Sequence, residues 1–543
     1  MICIQRLGSA NCLYLVLTRF TFIMFHMISN TKKAFLYFSL LTTSLCFASD
    51  EGQRFYKCYA LFTGERVPTN HPILTKVLKK QITGTDGCME LIRKATINES
   101  GIISTDPEAK KVLARVNELH NKWFFIKDPL SVSGIFVYSW PNTDLHDKYD
   151  PAFHLTYSML KPGQKFKENV SRTYNLEAIR NSPNQPYAKE PLLDQDHCTF
   201  GNTSRTIFNQ PEDNPFPMIG APFGDWKLGL FQGSHLVSYY HSGYEAACKS
   251  DWGYKVWQPK IISRGELVGL KPVTYSNPVI DMSSVPYPDV STNFGLAKYT
   301  NFNAFHGAGA LGTQAYLIGN LGGYGNQDGG THVRRRWSKN VLSDFLCRDL
   351  PALKSSDVST EVFPDSEVSF RKGGSCMSCH MSMDPMAGVT RRLKGQGING
   401  DNTYYGNYAT FMKDHGPGTL PPADYPTIKP DEEFSNRSPA GRIMFRGYDD
   451  RLYDEQVEGL SELGNKFAEY DDLYVCGAKK YYNLLTGIDV RLPGPGGAPL
   501  NGAEKEHFKQ VVKLGLELKK SQDVQQLLRS IIASPNFIRV EGN

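Results

Sequence analysis

The chain carries a Cys-x-x-Cys-His cluster in the stretch GGSCMSCHMSMDP, residues 373–385. On a helix, Cys376, Cys379 and His380 fall at positions i, i+3 and i+4 and therefore lie on one face. With 11 cysteines and 13 histidines in 543 residues, chance would place such a cluster in about one chain in two hundred. The cluster therefore predicts a helix with two thiols and an imidazole that serve one chemical purpose.

The residues around the cluster predict the bounds of this helix. Ser375 is expected to cap its N-terminus, after the flexible pair Gly373 and Gly374. Pro385 lacks a backbone N–H, so the helix is expected to end near Asp384. Asp384 and Pro385 are then expected to be the N-cap and the first residue of a following helix.

Three chemistries use two cysteines and a histidine at this spacing. A zinc site needs four ligands, and the chain has no second Cys-x-x-Cys; Cys347 and His332 are too isolated to complete such a site. A thioredoxin-like pair needs a strand–helix setting in a βαβ fold, and its histidine is not required. Covalent haem uses all three residues, because the thiols of Cys376 and Cys379 can add to the haem vinyl groups and His380 can ligate the iron. The cluster therefore favours one covalently bound haem c, with His380 as the proximal ligand.

The sixth iron position distinguishes an electron carrier, which fills it with Met or His, from a haem enzyme, which often leaves it open. The candidate ligands in this chain are Met412, Met444, His306 and His415. Met412 is favoured, because it lies 32 residues after His380 and its sequence neighbours are aromatic.

Three consecutive arginines precede the cluster, at Arg334, Arg335 and Arg336. They have two interpretations, as partners of the haem propionates or as the solvated first turn of a helix. The sequence leaves both open.

The N-terminus has the pattern of a secretory signal, NTKKAFLYFSLLTTSLCFASDEG. The basic pair Lys32 and Lys33 precedes an apolar run over 34–45 and a small-residue exit, which places cleavage after Ala48. Residues 1–48 are therefore predicted to be a removed segment, with Met27 as an alternative start. The apolar run is shorter than the roughly 20 residues that a membrane span needs. The mature chain is therefore expected in the periplasm or cell envelope, without a transmembrane span.

The charge of the mature chain is nearly balanced. Residues 1–48 hold four basic residues and no acidic one, so their removal lowers the formal net charge from +5 to about +1. Such a balance gives no reason to expect a nucleic acid as partner.

An exported chain can form disulfides, because its compartment is oxidising. The mature part has eight cysteines, and six remain if two hold haem. Six cysteines allow 15 pairings, of which proximity along the chain favours two short-range bridges and one long-range bridge. The predicted pairs are Cys58–Cys88, Cys198–Cys248 and Cys347–Cys476.

Hydrophobic periodicity predicts a mainly α protein. Together with the haem cluster, it predicts a helical, cytochrome c-like haem domain between helical terminal regions. The middle of the chain is rich in β-branched and aromatic residues broken by Gly and Pro, which predicts an irregular, partly β insert. The predicted regions are a signal segment at 1–48, an N-terminal helical region at 49–190, the insert at 191–300, the haem-binding domain at 301–413, a linker-like stretch at 414–453 and a C-terminal helical domain at 454–543.

Two parts of the chain share a local pattern. CYALFTGERVP at 58–68 and CGAKKYYNLLTGIDVRLP at 476–493 each begin with a cysteine and contain Thr-Gly after a helical stretch. Each is followed by a helical stretch with Leu/Ile and Arg on one stripe. The pattern has two explanations, an internal duplication or the common sequence requirements of a helix C-cap.

The stretches GALGTQAYLIGNL, THVRRRWSKNVLSDFLCRDLP and CMSCHMSMDPMAG resemble the cytochrome-type domain of the large, exported planctomycete-cytochrome proteins. The C-terminal KKYYNLLTG and LKKSQDVQQLLRSIIASPNFIRV are similar to the small helical domain that follows it in those proteins. The resemblance covers roughly residues 303–395 and 470–540, and residues 49–300 match weakly or not at all. It implies haem, export and haem-binding roles for Cys376, Cys379 and His380, but no substrate.

These features predict an exported mono-haem c-type cytochrome that transfers single electrons. Its partner would be a redox protein or a small-molecule electron donor or acceptor. Two alternatives stay open. The length of the chain favours a haem enzyme, a peroxidase or oxidase with an open sixth site, because a bare carrier needs only about 100 residues. The other alternative is an envelope binding protein in which haem is structural.

Overall fold

The protein is described by a computed structural model that covers residues 50–124, 147, 149–182, 265–273, 307–320, 334–366, 368–390 and 440–538. For seven further strand segments it describes the backbone, at 185–186, 230–231, 235–236, 260–261, 279–280, 393–400 and 403–412. Helices make up 59% of the described residues, and the strands are few and short. The predicted mainly α class is therefore confirmed.

Helices dominate the described N-terminal part. They are α1 (Asp50–Thr63), α2 (Pro72–Leu78), α3 (Gly84–Arg93), α4 (Pro107–Asn121), α5 (Asp150–Leu160) and α6 (Glu168–Ser171). Their starts follow ordinary capping chemistry: the Thr83 side chain accepts from the third N–H of α3, and Asp106 caps α4 with Pro107 as its first residue.

Short strands occupy the described middle of the chain. They are β1 (Asn175–Arg180), β2 (Gln185–Pro186), β3 (Leu230–Phe231), β4 (His235–Leu236), β5 (Lys260–Ile261), β6 (Leu267–Val273) and β7 (Val279–Ile280). Among these strands, β1 and β6 form the longest pair, which is antiparallel. The pairs β2 with β5 and β3 with β4 are also antiparallel. Strand β1 lies inside 49–190, the region that was expected to be helical. It forms a strand because it pairs with β6 of the insert and buries Leu176 in the core.

The region with the Cys-x-x-Cys-His cluster combines helices and a hairpin. Its helices are α7 (Gln314–Asn320), α8 (Arg335–Leu346) and α9 (Gly374–Ala387), with 3-10 turns at Gly309–Gly312, Ser355–Glu361, Ser369–Lys372 and Gly388–Thr390. Strands β8 (Leu393–Gly400) and β9 (Thr403–Met412) then pair antiparallel, and β7 pairs with β9 in parallel. The backbone after α9 is therefore a β-hairpin, where a second helix was expected.

A second hairpin opens the C-terminal part. Strands β10 (Ala440–Arg446) and β11 (Leu452–Glu458) pair antiparallel, although 414–453 was expected to be linker-like. Ile443, Met444 and Phe445 are all buried, and this burial stabilises a strand where the proline-rich sequence upstream suggested a linker. The remaining helices are α10 (Gly459–Phe467), α11 (Asp471–Thr486), α12 (Gly502–Ser521), α13 (Val524–Ala533) and α14 (Pro535–Ile538).

One hydrophobic core joins the two ends of the described chain, from Phe55 on α1 to Phe537 on α14. Buried Arg54 on α1 donates to the carbonyls of Ile532 and Ser534, where α13 ends. Cations are favourable at helix C-termini, where backbone carbonyls lack helical partners. None of the described helices is long and apolar enough to cross a membrane.

Two predicted disulfides are confirmed. Cys58–Cys88 joins α1 to α3, and Cys347–Cys476 joins the end of α8 to α11. Half-buried Lys480 of α11 adds a second connection, because its Nζ lies 2.6 Å from the Asp344 carbonyl oxygen of α8. The predicted pair Cys198–Cys248 falls outside the described residues.

The shared Thr-Gly pattern is a C-cap in both places. Thr63 and Thr486 each donate to the carbonyl four residues earlier, at 2.7 Å, and accept the N–H two residues later, at 3.1 Å. Gly64 and Gly487 follow with φ of 75° and 82°, a conformation that favours glycine. The preceding cysteine lies five residues before Thr63 but ten before Thr486, so the similarity is that of the helix ends.

Candidate haem-binding site

Helix α9 carries the whole Cys-x-x-Cys-His cluster. Cys376 is exposed, Cys379 and His380 are half-buried, and both thiols are free. Met377 and Met381 are buried in a small cluster with residues that precede the helix. The helix therefore presents the two thiols and the imidazole on its outer side, because its methionine side is packed inward.

The bounds of α9 correct the sequence prediction at both ends. The N-cap is Gly373, with extended backbone and no side-chain cap, and Ser375 lies within the first turn. The helix continues through Pro385 to Ala387, so Asp384 does not start a new helix. Pro385 costs one backbone hydrogen bond, but the residues from Asp384 to Ala387 are buried, and α9 packs closely against β10. This packing offsets the lost bond.

Asp384 lies one helical turn after His380 and bonds its ring. The carboxylate oxygen Oδ2 lies 2.9 Å from Nδ1 of His380, and the Asp384 side chain is fully buried. A carboxylate only accepts hydrogen bonds, so we assign the imidazole proton to Nδ1. In that tautomer the lone pair is on Nε2, which is the nitrogen that would ligate a metal.

Arg335, in the first turn of α8, holds the same carboxylate. Its Nε lies 2.8 Å from Oδ1 of Asp384 and its Nη2 lies 3.1 Å from Oδ2, which is the two-pronged geometry that guanidinium and carboxylate groups favour. The three arginines were expected either to form a solvated helix turn or to bind haem propionates. Neither interpretation included a bond between Arg335 and Asp384.

An aromatic ring completes the surroundings of His380. Phe370, from the 3-10 turn before α9, stacks on the imidazole with centroids 3.9 Å apart and planes inclined by 8°. The Arg335 guanidinium lies 5.3 Å from the centroid of the same ring. One face of the imidazole is thus covered by Phe370, and Nε2 is the ring nitrogen that would hold a metal.

Sequence reasoning missed Asp384, Phe370 and the role of Arg335. The i, i+4 spacing of His380 and Asp384 was a readable signal, but the expected helix end at Asp384 concealed it. Arg335 comes from 49 residues before Asp384, and only the packing of α8 on α9 brings the two together. No local pattern signals that contact.

Of the four candidates for a sixth ligand, the structure describes the side chain of Met444 and the backbone of Met412. Met444, on β10, is 3% exposed and packs with Met377 and Met381 on the inner side of α9, so it is a core residue. Met412 is the last residue of β9, where its backbone pairs with Ile280; its side chain lies outside the described structure, as do His306 and His415. Met412 therefore stays a prediction.

The residues present fit a covalently bound haem. Two free thiols and an imidazole share one side of a helix, and a buried carboxylate accepts from the second nitrogen of the imidazole, as is usual for metal-binding histidines. Burial raises the pKa of the Cys379 thiol, which disfavours the thiolate that disulfide exchange at this sulfur needs. The element before α9 is a 3-10 turn and not the strand of a thioredoxin-like site.

A protein-only metal site finds no support in the described part of the chain. There, no group of three or more His, Cys, Asp or Glu side chains is arranged to hold a metal ion. Comparisons with protein-family models, with curated proteins and with solved structures found no match to this chain. The site is interpreted from its own geometry.

Proposed function

We propose that the protein is an exported c-type cytochrome with one haem, which transfers single electrons in the bacterial cell envelope. The observation that carries the proposal is the outer side of α9, with two free thiols and an imidazole whose Nδ1 is bonded to buried Asp384. Cys376 and Cys379 would hold the haem, and His380 would ligate its iron. When bound, haem supplies a one-electron couple, so no bond of the chain is made or broken in the transfer.

The exposure of the thiols supports electron transfer to a separate partner. Cys376 is exposed and Cys379 is half-buried, so a group attached to both would have an edge at the protein surface. A redox protein or a small-molecule donor or acceptor could approach that edge closely. The resemblance to planctomycete-cytochrome proteins points to the same cofactor.

The disulfides support export, because such bonds persist mainly in oxidising compartments. The first described helix, α1, begins at Asp50, two residues after the cleavage site expected at Ala48. N-terminal sequencing of protein from the envelope fraction should find Ser49 first. Intact 1–48 on cytoplasmic protein would contradict export.

Haem retention after denaturation tests the attachment. Wild-type protein is expected to keep its colour in acid and organic solvent, because thioether bonds are covalent. Cys376→Ala combined with Cys379→Ala should abolish retention, while the control Ser375→Ala, an exposed residue of the same helix, should not change it. Complete loss of haem from the wild type, or zinc in its place, would refute the proposal.

We further propose Met412 as the sixth ligand, which would leave no site for oxygen or peroxide. Thioether ligation predicts a weak far-red absorption band in the oxidised protein. Met412→Ala should remove the band, and Met444→Leu, a change of a core methionine, should leave it. A high-spin ferric wild type that binds cyanide rapidly would instead favour the haem enzyme.

A further inference from the structure

Three side chains, one each from α9, α8 and the 3-10 turn before α9, form a connected arrangement around the imidazole of His380. Resting on the proposed function, we infer that Asp384 is a positioning residue, which fixes the His380 ring and lowers the reduction potential of the haem. We infer further that Arg335 limits this effect through its bond to Asp384. The Cys-x-x-Cys-His cluster itself contains neither Asp384 nor Arg335.

The ring of His380 is restrained in two directions. Asp384 holds the edge of the ring, through the 2.9 Å contact with Nδ1, and Phe370 covers its face. The carboxylate cannot move readily, because it is fully buried and held by Nε and Nη2 of Arg335. An imidazole restrained in this way is pre-oriented for a ligand at Nε2.

The charge of Asp384 has a predictable effect on that ligand. A carboxylate that accepts the Nδ1 proton makes the imidazole a more basic ligand. A more basic ligand favours ferric over ferrous iron, because the ferric ion carries one more positive charge. Arg335 shares the carboxylate charge, so it weakens the effect on the imidazole. Removal of Asp384 should therefore raise the potential, and removal of Arg335 should lower it.

A second buried carboxylate provides a matched control. Asp357 lies in the 3-10 turn Ser355–Glu361, which packs on α9, and it binds Arg446 in the same two-pronged way, at 2.6 and 2.7 Å. Its side chain is 5% exposed. Asp357→Asn thus removes a comparable charge and ion pair without altering a hydrogen bond of His380.

The experiment uses full-length, haem-loaded protein, in which covalent haem is first verified by intact mass. Redox titration then compares wild type with Asp384→Asn, Arg335→Gln, their double variant and Asp357→Asn. Asp384→Asn is expected to change the ferric–ferrous equilibrium constant about tenfold in favour of ferrous iron, or about 59 mV for one electron. Arg335→Gln should shift it the other way, and Asp357→Asn should change it less than about twofold.

The double variant tests whether Arg335 acts through Asp384. If it does, Arg335→Gln has little effect on the reduction potential in the Asp384→Asn background. A direct effect of the Arg335 charge on the iron would instead shift the potential equally in both backgrounds. Additive shifts would overturn the role of Arg335. The g values of ferric haem in electron paramagnetic resonance, which depend on the axial imidazole, should change in Asp384→Asn and not in Asp357→Asn.

The outcomes separate this inference from the proposed function. Covalent haem with equal potentials in Asp384→Asn and Asp357→Asn would overturn the inference alone. Lack of covalent haem on the wild type would overturn the proposed function and the inference together. If Asp384→Asn does not fold, the Arg335→Gln variant alone tests the inference. An unchanged reduction potential in Arg335→Gln would then contradict the proposed effect of the Arg335–Asp384 pair on the haem.

Discussion

Two histidines of this protein have their protonation set by different neighbours. His380 donates from Nδ1 to a carboxylate, which suits a ligand. His120, by contrast, is fully buried between hydroxyl groups, with Nδ1 2.9 Å from Thr156 Oγ1 and Nε2 2.9 Å from Tyr481 OH. Burial lowers the pKa of His120 to about 3, so this imidazole stays neutral. The same residue type is thus suited to metal ligation in one place and packed as a neutral group of the core in the other.

The buried His120 predicts a loss of stability in acid. The unfolded chain binds a proton at this residue near pH 6.5 and the folded chain does not until about pH 3, so stability is full above pH 6.5 and falls as the pH is lowered. At pH 5 the loss is about 2 kcal/mol from this residue. Urea unfolding at pH 7.5 and 5.0 measures it.

His120→Gln should reduce that pH dependence by about the same 2 kcal/mol. The control His507→Gln removes a partly exposed imidazole of α12 and should leave the contribution of His120 in place. Equal pH dependence in wild type and His120→Gln would contradict a neutral buried imidazole.

At the scale of elements, the site depends on a close approach between the end of α9 and strand β10. Gly388, directly after α9, lies against the Ala440 carbonyl, and a Cβ built there would overlap that oxygen. Just before this contact, Pro385 is buried and the helix continues as far as Ala387. Helix α9 is thus held in place by backbone contact with a hairpin.

Gly388→Ala should therefore destabilise the protein by about 2 kcal/mol or more, because strand and helix must separate. Gly373→Ala, at the other end of the same helix, is the matched control. Its Cβ would meet nothing closer than Ser375 Oγ at 3.9 Å, so only the poorer N-cap preference of Ala acts, and stability should fall by less than about 1 kcal/mol. Thermal or urea unfolding of both variants measures the difference, and equal stability would contradict the contact.

The elements also show where sequence reasoning succeeds and fails. The helix around Cys376, Cys379 and His380 could be predicted, because spacing on a helix is a local property. The end of this helix could not be predicted. The hydrogen bond lost at Pro385 is visible in the local sequence, but the packing against β10 that offsets the loss is not. Strand β10 was mistaken for part of a linker, because its side chains are buried by contacts with distant parts of the chain, such as that of Met444 with α9.

At the scale of the whole molecule, one long-range disulfide ties the region of the site to the C-terminal helices. Cys347–Cys476 spans 129 residues and joins α8, which carries Arg335, to α11. This pairing could be predicted by proximity and elimination among few cysteines. The single core that unites α1 with α14 could not, because contacts between distant ends leave no local pattern.

Removal of the Cys347–Cys476 disulfide should destabilise the protein more than removal of Cys58–Cys88. In the chain-entropy model, a loop of 129 residues corresponds to about 5 kcal/mol, and the loop of 30 closed by Cys58–Cys88 to about 3.5 kcal/mol. Guanidinium unfolding of Cys347→Ala/Cys476→Ala and Cys58→Ala/Cys88→Ala compares the two. Wild-type stability in the first variant would contradict a structural role for the long bridge.

The most direct test of the central claim is a mass measurement on one peptide. Trypsin should release residues 373–391, because Lys372 and Arg391 flank the cluster with no Lys or Arg between them. In protein purified from the cell envelope, fragmentation of this peptide should place one haem on Cys376 and Cys379 together. The same peptide with two unmodified thiols, or with a disulfide between them, would contradict the account.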